Sequence, residues 1–109
     1  MTQQDVVLVH GTFCNGGNWG SFATALEQRG FRVHTPTQRH HGNPRDVDVW
    51  SNAQKIGKLG LGDYVDDLRR LVANMETPPI IIGHSVGGLL AQLLGARVPN
   101  RGMVLLATA

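Results

Sequence analysis

The residues best suited to chemistry lie at Gly83-His84-Ser85-Val86-Gly87-Gly88, where a serine has glycine two positions away on each side. That spacing fits a sharp turn from strand into helix, because the turn crowds the two elements and only residues without side chains at 83 and 87 leave room. The turn lifts the Ser85 hydroxyl above the sheet. It also aims the first helical amides, beginning with that of Val86, at the place where negative charge develops during nucleophilic attack. The chemistry implied is acyl transfer with Ser85 as nucleophile. A serine hydroxyl is weak until a base takes its proton, so Ser85 needs an imidazole within reach and a carboxylate to orient that imidazole.

The elements that must position Ser85 are legible on both sides of it. Ile80, Ile81 and Ile82 form a continuous β-branched run, as expected of a strand buried on both faces. Leu89 to Ala96 is an uncharged helical stretch that Pro99 ends, and it should be the most buried helix. Upstream, strand and helix patterns alternate, which points to an α/β architecture with a parallel sheet. Asp5 to His10 reads as a buried strand ending at Gly11. Trp19, Phe22, Ala23 and Leu26 recur at helical spacing, with Gly30 where that helix stops. Phe31 to Thr35 is a second strand closed by Pro36. Asp63 is placed as an N-cap, and Val65, Leu68, Val72 and Met75 form the apolar stripe of a helix running to about Met75. The last strand is expected over Gly102 to Ala107. Between Thr37 and Gly62 lies a polar stretch long enough to be a functional loop.

Composition narrows the function. With 41% apolar and 17% charged residues, the chain is too hydrophobic for disorder, and 109 residues suffice for one modest core. The ten Lys and Arg are spread along the chain without a basic run, so nothing supports nucleic-acid binding. No apolar stretch approaches membrane-spanning length, and the expectation is a cytoplasmic protein that binds no membrane. The single cysteine, Cys14, has no internal disulfide partner and no metal-ligand spacing around it; it reads as a small packing residue of its loop, with the pocket wall as the alternative. That loop, His10 to Trp19, is rich in glycine and follows a buried strand, which lets backbone amides approach a ligand closely. It lacks the Gly-Lys-Ser/Thr ending of a phosphate cradle and the Gly-x-Gly-x-x-Gly pattern of dinucleotide binders.

In order and spacing, His10-Gly11, Trp19, Asp63-Tyr64-Val65-Asp66-Asp67-Leu68 and Gly83-His84-Ser85-Val86-Gly87-Gly88 resemble the α/β-hydrolase superfamily over nearly the whole chain. The start of the chain and the Asn15-Gly16-Gly17-Asn18-Trp19 turn are most similar to short-N-terminus members such as plant-type methylesterases and hydroxynitrile lyases. The resemblance implies a partial α/β-hydrolase fold: a parallel sheet of about four strands flanked by helices on both faces, in the order second, first, third, fourth. Residues 1–109 would be a single, incomplete N-terminal part of that domain. Ligands bind where the chain reverses direction across such a sheet, here between the first and third strands. Carried over by position, the family roles make Ser85 the nucleophile and give the oxyanion hole to the backbone amides of Thr12 and Val86. They make Phe13 and His84 neighbours of the pocket and imply neither a metal nor an organic cofactor.

The chain departs from the family in one respect. In these hydrolases the acid and the histidine follow strands that come after the one ending near Ala107. The five histidines are therefore weighed as substitutes. His10 and His34 read as structural, His84 is turned aside by its position next to Ser85, and His40 and His41 resemble a solvated turn. The expectation is that acid and base come from a complementary C-terminal segment or chain, and that the last strand leaves an apolar edge open to such a partner or to self-association. The leading function is hydrolysis of a carboxylic ester or related small acyl substrate through an acyl-Ser85 intermediate. A lyase or cofactor-free oxidase-like activity on the same scaffold, and a noncatalytic binding or assembly module, are the alternatives.

Overall fold

The computed structural model of the chain describes residues 3–11, 14, 16–39, 41 and 60–107. Most of the Thr37–Gly62 stretch, including His40, therefore lies outside the described residues, as do Thr12 and Phe13. Four strands, β1 (Asp5–Val9), β2 (Arg32–His34), β3 (Ile80–His84) and β4 (Gly102–Leu106), form one sheet in the order β2-β1-β3-β4 with every pair parallel. This is the expected four-strand sheet in the expected order. Among the described residues three α-helices accompany it: α1 (Gly20–Gln28), entered through a 3-10 turn at Gly16–Trp19, α2 (Leu61–Val72) and α3 (Val86–Gly95).

The alternation of side chains along β1 divides the core into two layers. Val7 and Val9 join Ile81 beneath α2 and α3, where Tyr64, Val65, Leu68, Leu90, Ala91 and Leu94 close the layer. Val6 and Leu8 join Ile82 on the other face, against Trp19, Ala23 and Leu26. Helices thus cover both faces, which is why the apolar runs of β1 and β3 are continuous. Five of the ten residues of α3 are buried, against three of twelve in α2 and none in α1, so α3 is the most buried of the described helices, in line with its uncharged sequence.

Several boundaries differ from the sequence reading for local reasons. Asp63 is not the N-cap of α2: Gly60 is, and Asp63 lies inside the first turn, where its carboxylate accepts the Gly60 N–H at 3.0 Å while Gly60 O accepts the Asp63 N–H at 3.1 Å. The carboxylate still satisfies an orphan donor, from three residues further on. The helix ends at Val72 rather than Met75, yet turn bonds from Asn74 N–H to Leu71 O and from Met75 N–H to Val72 O continue the winding. Met75 therefore reaches the core layer that its spacing suggested. β1 stops at Val9, and the next carbonyl, His10 O, accepts the Gln38 side-chain amide at 2.7 Å; α3 begins directly at Val86.

At the starts of the strands, the fully buried Asp5 carboxylate accepts hydrogen bonds from His34 Nε2 at 2.8 Å and from Thr77 N–H and Oγ1–H at 3.0 Å each. This ties β1, β2 and the chain entering β3 together. Burial alone would raise the carboxyl pKa, but the bonds from His34 and Thr77 hold it below its ordinary range.

Candidate active site

Ser85 occupies the single-residue turn between β3 and α3 with φ 57° and ψ −125°. A side chain with a Cβ rarely adopts this conformation, so neighbours must hold it there. Ser85 N–H donates to Leu106 O of β4 at 3.1 Å, and Ser85 O accepts Gly88 N–H at 2.9 Å. The flanking glycines are required by contact. A Cβ on Gly83 would collide with the Gly87 backbone, and one on Gly87 would lie 2.5 Å from His10 O and overlap Val9 O. The crowding inferred from the Gly-x-Ser-x-Gly spacing is thus crowding against β1 as well as against α3.

The same closeness brings the β1 loop to Ser85. A Cβ added to Gly11 would sit 3.3 Å from Ser85 Cβ and 3.7 Å from Ser85 Oγ. Val86 supplies the first amide of α3, and such first amides have no partner within their own helix. Ser85, Val86 and the Gly11 end of the loop are therefore brought together, at the end of the sheet where β1 and β3 diverge.

Beside them is a cavity of about 290 Å³ bounded by His10, Gly11, Cys14, Asn18, Trp19 and His84. His84 borders it, and Cys14 is in its wall. The sequence reading does not place Trp19 or Asn18 in a pocket; it gives Trp19 for its helical spacing and both residues for the turn that carries the family resemblance. The Trp19 ring also packs on Phe22 at 5.7 Å between centroids, so one side chain serves helix and cavity together.

The histidines are spoken for in different ways. His10 is 2% exposed; its Nε2 accepts the Gln38 N–H at 2.9 Å, so the ring proton is on Nδ1, which donates to Gly11 O at 2.7 Å. Burial pushes its pKa down, the Gly11 carbonyl partly opposes this, and nearby His41 adds to it. The expected structural role of His10 matches these contacts. His41 does not lie in a solvated turn: it is 5% exposed, with its ring 5.2 Å from that of His10 and 5.9 Å from that of Tyr64. Tertiary packing from α2 buries it, which the local Arg-His-His-Gly composition could not indicate. His34 is engaged with Asp5 at the opposite end of the strands from Ser85.

A second cavity, of about 300 Å³, lies between the exit of β2 and α2, beside Pro36, Tyr64 and Leu68. Its charged rim is already paired: Arg39 donates to Asp67 through Nε at 2.9 Å and Nη2 at 2.7 Å, which lowers the Asp67 pKa. Among the described residues, no group of three or more His, Cys, Asp or Glu side chains is placed to hold a metal ion, and no helix is long and apolar enough to cross a membrane.

Comparison with known proteins gives the same architecture. Over 101 residues the chain is 29% identical to a pyrethroid hydrolase of Sphingobium wenxiniae, covering 93% of this chain and 34% of that protein. It is 34% identical over 97 residues to a pimeloyl-[acyl-carrier protein] methyl ester esterase of Nitrosospira multiformis, covering 89% of this chain and 35% of that one. The crystal structure of a pyrethroid hydrolase from Sphingobium faniae superposes with a TM-score of 0.76 at 25% identity, over 98% of this chain and 40% of its own. The chain thus spans about a third of the length of the curated relatives it matches. Residues 6–109 match the model of the alpha/beta hydrolase family, and the chain belongs to that family.

Proposed function

We propose that this chain carries the nucleophile and the oxyanion-stabilising half of a serine hydrolase acting on a carboxylic ester or related small acyl substrate. Ser85 Oγ attacks the carbonyl carbon, and the backbone amides of Val86 and Thr12 receive the charge that forms on the carbonyl oxygen. Collapse of the tetrahedral intermediate expels the alcohol and leaves acyl-Ser85, which water then hydrolyses. The acyl or alcohol group occupies the cavity bordered by His84, with Phe13 as a further neighbour. The observation that carries this reading is the backbone of Ser85, held at positive φ between Gly83 and Gly87 and against Gly11. The hydrolases and esterases among its relatives support the reaction class.

The base and its acid come from outside the chain. Both ring nitrogens of His10 are engaged, and His34 serves Asp5. The missing groups arrive beside β4, whose Met103, Val104 and Leu105 are 44%, 44% and 38% exposed. A complementary C-terminal segment or chain covers that edge; without it the edge favours self-association. Purified chain should therefore show negligible turnover of a p-nitrophenyl ester. Efficient hydrolysis that disappears in His40→Ala or His41→Ala would overturn the assignment of the base.

A further inference from the structure

The cavity beside Ser85 has a wall of one chemical kind. It is bounded by Gly11, whose added Cβ would stand 3.7 Å from Ser85 Oγ, and by His84, the residue before the serine, so whatever fills it lies next to the carbonyl under attack. Among the described residues of the wall none carries a carboxylate, ammonium or guanidinium group. Trp19 is the largest of them. Its Nε1 is buried and makes no hydrogen bond, so the polar edge of the indole is turned into the protein and ring carbons border the cavity. The ring cannot retreat: it packs on the layer of Val6, Leu8 and Ile82 and on Phe22, with the two planes tilted by 39°. The turn that carries it is pinned at its start, where Gly16 N–H donates to Thr37 Oγ1 at 3.0 Å and Gly16 lies too close to the Thr35 carbonyl for any side chain. The wall is therefore formed before a ligand arrives, which lowers the cost of binding one.

The space is more than a methyl or ethyl group can fill. An apolar cavity of about 150 Å³ takes up benzene, and the 290 Å³ here holds a ring together with the atoms that link it to the ester. We propose that Trp19 is a specificity-determining residue and that this cavity is the subsite for an uncharged aryl group of the ester, packed against the indole. The assignment rests on the hydrolase reading for its use and deepens it from acyl substrates in general to esters that bear an aryl group. Two π systems gain from offset-stacked or edge-to-face contact beyond the area they bury, so an aryl group is preferred over a saturated ring of the same size. A charged group would lose its water here and gain no partner of opposite charge. Cys14 adds a small, polarisable, half-buried side chain to the same wall, and a larger one there would take the place of the ring.

The test titrates benzyl alcohol and cyclohexylmethanol into the purified chain and into Ser85→Ala, with the Trp19 indole Nε1–H and the Cys14 amide followed by NMR. Both resonances should shift saturably, and benzyl alcohol should bind at least about threefold more tightly than its saturated counterpart. Trp19→Leu, which keeps apolar contact with the core, should remove that preference as read at the Cys14 amide. Cys14→Phe should abolish saturable binding of both alcohols as read at the indole, and it decides the matter where Trp19→Leu does not fold. Equal affinity for the two alcohols, a preference that survives in folded Trp19→Leu, or undiminished binding to Cys14→Phe overturns the proposal. If the preference holds while Ser85 takes no fluorophosphonate label, the hydrolase reading fails and the aryl subsite stands. If Ser85 is labelled and neither alcohol moves the two resonances, the subsite fails and the hydrolase reading stands.

Discussion

β1 and β4 are five-residue strands on either side of β3, yet every residue of β1 is buried whereas four of the five in β4 are exposed. The elbow that carries Ser85 lies between them. On the β1 side it is gripped by backbone contact, with Gly87 pressed against Val9 and His10; on the β4 side, Leu106 O accepts the Ser85 N–H. The difference teaches that the geometry of Ser85 is built chiefly from the buried side of the sheet. The exposed side is where further structure can join without disturbing it.

That contrast can be broken most severely at the elbow. Gly87→Val places side-chain carbons into the β1 carbonyls, where neither element can retreat, and should cost more than about 4 kcal/mol or prevent folding, as read by urea denaturation. Next is Leu8→Ala in β1, fully buried in the layer facing α1, which should cost about 2–5 kcal/mol; Leu105→Ala in β4 should cost less than about 1 kcal/mol. Equal losses at the two strands would erase the distinction.

How much of this was legible in sequence follows the range of the forces involved. The continuous β-branched runs of β1 and β3 and the glycines at 83 and 87 reflect local packing, and their elements are located within a few residues. The sheet order came with the family resemblance rather than from the pattern of the strands. What stayed hidden depends on residues distant in sequence: His41 is buried by Tyr64, and His10 is occupied by Gln38, 28 residues away. Asp63 was recognised as a capping residue but misplaced, because glycine at the true N-cap carries no side-chain signal.

A smaller effect is expected at the strand starts. Asp5→Ala leaves His34 and Thr77 without their acceptor and should cost about 1–3 kcal/mol at pH 7. Because the folded carboxyl has a lowered pKa, its contribution is fully present above the ordinary carboxylate value and fades as pH falls through the lower, folded one. The gap between wild type and Asp5→Ala should narrow in acid; a gap that widened would contradict the network. Smallest of all, Val104→Lys on the exposed strand should change stability by no more than about 0.5 kcal/mol while reducing self-association in sedimentation. A large loss of stability would mean that β4 is as integral as β1.

The central claim is that Ser85 is positioned by this chain and activated from outside it. Labelling with a fluorophosphonate, with and without free imidazole as a substitute base, tests both parts, with the adduct located by peptide mass among the three serines, Ser21, Ser51 and Ser85. An oxyanion hole retains part of its effect after the base is lost. The expected result is slow modification confined to Ser85, accelerated by imidazole and absent in Ser85→Ala. An adduct spread over Ser21 and Ser51, or rapid labelling of Ser85 that imidazole does not change, would contradict the account.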